Sequence, residues 1–275
     1  MLKFAAIQME PVLLEPEVNL GKVVNLISQA ADLGVQVATF PECSLTGYSL
    51  SSQEAKALSE PIPGPATAII VEACQQSDII VAIGMLEKDN EGRYFNTAVL
   101  LGADGILGQY RKTHLPFLGV DRFLTPGDLI AGPFKTPVGQ LGLLICYDLR
   151  FPEPIRLLAL QGAHVVLLPT AWPHTANLYP EFMAQSRAAE NGLYLVAANR
   201  IGEERGTRYL GRSVIAGPDG SKLAEGSKDK EEILMAEIDP SRSENKKRIF
   251  TPGEYELDLF GDRRPELYHV LTEEV

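Results

Sequence analysis

The chain is poor in cysteine, histidine and positive charge. Its three cysteines stand at 43, 74 and 146 of 275 residues. An odd, widely spaced set makes no disulfide framework, so stability must come from the core and at least one thiol stays free. That usage suits a reducing compartment, and a cytoplasmic location is expected. Lysine and arginine number 25 against 36 acidic residues, a net charge of −11. So acidic a chain argues against binding nucleic acid or an anionic membrane through its overall field. Histidine occurs four times, with no Cys/His pair at ligand spacing, so no metal is expected. No apolar run nears 18 residues, which excludes a transmembrane helix from the reading. The opening MLKFAAIQME is broken at Glu10 before it reaches the length of a signal-peptide core.

What is present is ordinary globular material: 45% apolar and 22% charged residues. This length suits a single large domain spanning residues 1–275. Strand and helix signals alternate. Leu2 to Gln8, Val35 to Pro41 and Ile79 to Met85 read as strands, and so do 96–101, 106–110, 140–146, 164–168 and 193–198. Between them, 16–33 has apolar residues at Leu20, Val23, Ile27 and Ala30 before Gly34, a helix with a glycine stop. Helices are also expected over 65–76, 152–161 and 180–191. The order repeats. Residues 37–41 (VATFP) resemble 165–169 (VVLLP), 96–105 (NTAVLLGADG) resemble 211–220 (GRSVIAGPDG), and 79–83 match 194–198. The pattern predicts an α/β fold, a four-layer αββα sandwich with internal pseudo-two-fold symmetry. Residues 240–275 form a tail too apolar to be free, packing on the body or on a partner subunit.

Three side chains stand at the ends of apolar runs. Cys146 follows GQLGLLI, Glu42 follows VATFP, and Lys112 follows ILGQYR. Each has an ordinary reading: a small buried hydrophobe, a solvated turn residue, a solvated charge. Together they offer a nucleophile, a base and a cation.

The strings around them, FPECSLTGY, YRKTHLP and ICYDLRFPE, resemble the motif blocks of the nitrilase superfamily, the carbon–nitrogen hydrolases. So do TAW (170–172), SRAAENGLYLVAANR (186–200) and DRRPELY (262–268). The resemblance implies that Glu42, Lys112 and Cys146 form a catalytic triad. It also implies an αββα fold, no cofactor, and a homodimer or larger homo-oligomer. The expected reaction is hydrolysis of a small amide through a Cys146 thioester. Lys112 and the Tyr147 N–H would hold the oxyanion, and Glu42 would shuttle protons. CYDLRFPE resembles the branch acting on ω-amides of small carboxylates. Arg150 would then meet a substrate carboxylate, or else pair with Glu153. Tyr48 and Trp172 line the pocket or belong to the core, and a structural role is expected for His114. A carbamoylamine or nitrile substrate is the alternative, and a non-catalytic metabolite-binding scaffold the alternative of another class. One departure concerns a second glutamate that many members carry. Counting back seven from Gly127 gives Val120 here, with Asp121 the nearest acid. Asp121 either substitutes for that glutamate or the chain does without it.

Overall fold

The computed structural model describes residues 1–273; Glu274 and Val275 of the expected tail lie outside the described residues. Among the described residues the core consists of two six-stranded sheets. The first contains β1 (Leu2–Gln8), β2 (Val37–Thr39), β3 (Ile80–Lys88), β4 (Tyr94–Gly102) and β5 (Gly105–Arg111), with strand Glu232–Ile238 on the outer side of β1. The second contains β6 (Phe134–Thr136), β7 (Gly139–Leu143), β8 (Val165–Pro169) and β9 (Tyr194–Ala198), continued by strands Val214–Ala216 and Lys222–Glu225.

Both sheets follow one plan. An antiparallel edge strand is followed by three parallel strands and then two antiparallel ones. The three sequence repeats fall on equivalent strands: β2 with β8, β3 with β9, and the β4–β5 turn with the turn after 214–216. Parallel strands must be covered on both faces, which explains their unbroken apolar runs. Helices α1 (Pro16–Asp32) and α3 (Pro65–Ser77) cover the outer face of the first sheet. Val23, Ile27, Ala30, Ile70 and Cys74 meet Ala5, Ala38, Val81 and Val99 there. Phe4, Val37 and Ala82 of the inner face share one core with the second sheet, and with α4 (Pro152–Leu160) and α5 (Ala184–Asn191) beyond it. The four-layer expectation holds.

Several local expectations are corrected. The strand read over 140–146 stops at Leu143, and Cys146 opens a 3-10 turn, Cys146–Arg150. The helix read from Pro180 begins as a π-helical turn, Tyr179–Met183, and becomes α-helical at Ala184. Helix α2 (Ser52–Leu58) has a capping box from Ser51 and Glu54, which the sequence reading passed over. The tail contains a hairpin, Lys247–Thr251 with Tyr255–Asp258, and short 3-10 turns. Phe260 packs on the body, whereas Leu257 and Leu267 are exposed. No helix among the described residues is long and apolar enough to cross a membrane.

Candidate active site

Glu42 follows β2 in the segment 40–50, which is buried almost throughout. A buried loop must find partners for its backbone. Here Ser44 N–H donates to Gly84 O (2.9 Å), Asn19 Nδ2 donates to Leu45 O (2.8 Å), and Glu42 N–H donates to Thr170 O of the second half (3.3 Å). Gly84 on β3 lies directly against this loop. A Cβ there would sit 2.6 Å from Glu42 Cα, so the close approach requires glycine. The far end of the loop is fixed by Glu204, which accepts from Tyr48 N–H (3.0 Å), Ser49 N–H (2.9 Å) and Tyr209 OH (3.0 Å) and is paired with buried Arg200.

Lys112 follows β5 and is fully buried. Its ammonium donates to Glu42 Oε1 at 2.7 Å and to Asp121 Oδ2 at 2.5 Å. Asn96, inward-facing on β4, bridges the same two acids. Its Nδ2 lies 2.7 Å from Glu42 Oε1 and 2.9 Å from Asp121 Oδ1. Tyr48 OH donates to Asp121 Oδ2 at 2.8 Å. Asp121 therefore joins the cluster around the Lys112 ammonium. It sits in the 3-10 turn Gly119–Phe123, where Val120 packs into the core and Asp121 reaches the ammonium. Glu42 Oε2 is buried without a hydrogen-bond partner among the described residues.

Cys146 is 9% exposed, and Glu42 and Lys112 are fully buried, so of the three only Cys146 has any accessible surface. Its backbone is left-handed, φ 44°. Non-glycine residues seldom adopt this conformation, and it turns the thiol off the line of β7. The thiol feels the charges of Glu42 and Lys112, and the Thr170 hydroxyl is buried without a hydrogen-bond partner among the described residues. Burial, then the Glu42 carboxylate, push the thiol pKa well up, against Lys112, Thr170 and Ala171, which lower it. The resting group is thus a thiol that needs a base. Burial also raises Glu42. Lys112 opposes that rise and Asp121 adds to it, leaving Glu42 above the usual carboxylate range. Burial alone would lower Lys112, but Asp121 and Glu42 outweigh it and hold the ammonium well above its usual pKa.

The remaining expected residues divide. Tyr48, expected to line the pocket or the core, is buried with its hydroxyl committed to Asp121 and Leu118 O. Trp172 is buried and stacked on Tyr179, with ring centroids 5.0 Å apart, and its indole N–H is unpartnered among the described residues. Tyr147 is half-buried, edge-on to Phe151 at 5.2 Å. Arg150 is exposed, and among the described residues it makes no ion pair with Glu153. Burial pushes the Tyr179 hydroxyl well up, with Cys146 adding to the rise and Arg150 opposing it. Sequence reading missed Asn96 and Tyr179. A polar residue facing inward on an apolar strand was the available signal for Asn96. A π-helical turn, often found at functional sites, marks Tyr179 only once coordinates are known.

Glu42 and Lys112 are bonded to each other in one buried cluster, and Cys146, from the other half of the fold, lies within its electrostatic reach. The chain belongs to the carbon–nitrogen hydrolase family, whose profile matches residues 3–248. Within it, the relatives place the chain in the nitrilase superfamily, as an amide-hydrolysing enzyme. A nitrilase of Pyrococcus abyssi (strain GE5 / Orsay) is 38% identical over 273 residues, covering 98% of this chain and 99% of the relative. Omega-amidase NIT2-B of Xenopus laevis is 30% identical over 232 residues, covering 80% and 83%. A solved structure of an amidase variant from Nesterenkonia sp. AN1 shows acrylamide added at its active-site cysteine. It matches with a TM-score of 0.81 at 26% identity, covering 98% of this chain and 100% of that one.

Proposed function

We propose that the chain hydrolyses ω-amides of small carboxylates, with Cys146 as nucleophile, Glu42 as general base and acid, and Lys112 as oxyanion donor. The observation that carries this reading is the division of labour on Glu42. Oε1 is held by Lys112 and Asn96, while Oε2 is buried and free to take a proton. Glu42 accepts the Cys146 proton, and the thiolate attacks the amide carbon. An ammonium has three donors, and two of those on Lys112 go to Glu42 and Asp121. The third donates to the developing oxyanion, together with Tyr147 N–H, which follows Cys146 in the first turn of the 3-10 segment, where N–H groups lack an acceptor within the turn. Such a donor is worth about 3–4 kcal/mol. Glu42 then passes its proton to the nitrogen as the C–N bond breaks and ammonia leaves. Water gives a proton to Glu42 and attacks the thioester, which releases the acid and restores the thiol.

Arg150, exposed near Tyr179 and Cys146, supports a substrate with a terminal carboxylate. Exposed Ile249, Phe250, Tyr255, Val270 and Leu271 on the tail support a homodimer or larger homo-oligomer. The unpaired state of Cys43, Cys74 and Cys146 supports a cytoplasmic setting.

Ammonia release from glutaramate, propionamide and N-carbamoylputrescine tests the reading. Glutaramate should turn over fastest, Cys146→Ala should be silent, and slow substrates should add an acyl mass at Cys146. Arg150→Gln should raise KM for glutaramate roughly tenfold, the scale of a charge-assisted hydrogen bond, and leave propionamide unchanged. Faster turnover of the carbamoyl compound, or an active Cys146→Ala variant, would refute it.

A further inference from the structure

Lys112 and Cys146 come from different sheets, so something must fix the ammonium relative to the sulfur. The buried carboxylate of Asp148 lies two residues beyond Cys146 and touches both segments. From the nucleophile side, Ile145 N–H donates to Oδ2 at 2.9 Å, across the left-handed turn at Cys146. From the lysine side, Tyr110 OH donates to Oδ2 at 2.8 Å, His114 N–H to Oδ1 at 3.2 Å, and Thr113 Oγ1 to Oδ1 at 3.3 Å. The His114 ring adds Nδ1 at 2.8 Å from Oδ1 and stacks on Phe151 at 4.0 Å. An ionised carboxylate only accepts, so Nδ1 carries the proton in that contact. These donors flank Lys112 on both sides, at 110 and at 113–114. The ring is partly exposed in a surface pocket of about 440 Å³ that also includes Asp128, Phe151 and Glu153.

We propose that Asp148 is a positioning residue for the hydrolysis, fastening the Lys112 segment to the Cys146 turn through Tyr110, His114 and the Ile145 N–H. A cap serving the Cys146 turn alone would need only the Ile145 contact. The further donors all come from the strand that bears the lysine and its continuation, and they register one sheet against the other. Small displacements of reacting groups are costly, about a hundredfold in rate for 1 Å. The geometry therefore predicts an effect on kcat with substrate binding spared.

The inference rests on the amidase reading, and the test separates the two. It compares His114→Ala with His114→Asn, whose side-chain amide can return a donor near the position of Nδ1. It measures kcat and KM for glutaramate, the rate of Cys146 alkylation by iodoacetamide from intact mass, and the melting temperature. His114→Ala should lose roughly tenfold in kcat with KM within about twofold, and His114→Asn should recover to within about threefold of wild type. Alkylation should slow in His114→Ala and recover in His114→Asn. Asp148→Asn turns its NH2 toward a backbone N–H, of Ile145 or of His114, whichever way the amide lies, and should lose roughly a hundredfold or more. If that variant does not fold, the His114 pair still decides. Unchanged kcat and alkylation in His114→Ala would overturn the proposal. So would equal impairment of the alanine and asparagine variants with matched melting temperatures. A wild type inert toward every amide would overturn the amidase reading, and the alkylation rates would still judge the positioning role.

Discussion

Replacing Asp121 with asparagine tests the electrostatics of the site most directly. Asp121 and Glu42 share the Lys112 ammonium at 2.5 and 2.7 Å, so their oxygens lie no more than about 5 Å apart. At an effective dielectric of about 20, two like charges at about 5 Å repel by roughly 3 kcal/mol, or about two pKa units. The sign follows from each partner. Burial and the Asp121 charge raise Glu42, which works as a base only when ionised, so activity falls as pH drops through that raised value. Removing the Asp121 charge lowers Glu42 and moves the acid limb of kcat/KM to lower pH by one to two units, on the scale of that repulsion. Lys112 loses a carboxylate that holds its proton, so the alkaline limb also moves down. The maximum should drop roughly tenfold or more as the ammonium loses one of its two anchors. A pH–rate series of ammonia release from glutaramate measures all of this. An acid limb that stays in place or rises would refute the reasoning.

Two further outcomes follow from the packing. Gly84→Ala places a methyl 2.6 Å from Glu42 Cα, so kcat should fall by at least about tenfold and stability by roughly 1–3 kcal/mol; normal turnover would show that the loop can yield. Glu204→Gln leaves Arg200 buried without its counter-charge and should cost about 3–5 kcal/mol in urea unfolding, and a loss under about 1 kcal/mol would contradict that assignment.

Much of this molecule is legible as sequence because its signals are local. The apolar runs of the parallel strands, the Val23–Ile27–Ala30 spacing and the Asp-Gly turns each act over a few residues, and they return most elements in the right order. Glu42 and Lys112 stand out because they are charged side chains at the ends of apolar strands. What stays hidden is set at a distance. Strand 232–238 joins β1 across almost the whole chain, supplying the edge that β6 provides directly before β7 in the second sheet. That Asp121 reaches the Lys112 ammonium depends on the 3-10 turn Gly119–Phe123, which spacing along the chain does not show. Gly119, at φ 50°, seats that turn so closely on the Tyr48 ring that a Cβ would lie 2.2 Å from it. Asp148 draws no attention in the sequence and His114 carries only a structural expectation until the two sheets are brought together.

The union of two leaves also sets the order in which the fold can be completed along the chain. A nascent polypeptide carries Glu42 and Lys112 out of the ribosome well before Cys146, and the outer strand of the first leaf emerges last, at residues 232–238. The leaf that bears Glu42 and Lys112 is thus complete only after every strand of the second leaf has been made.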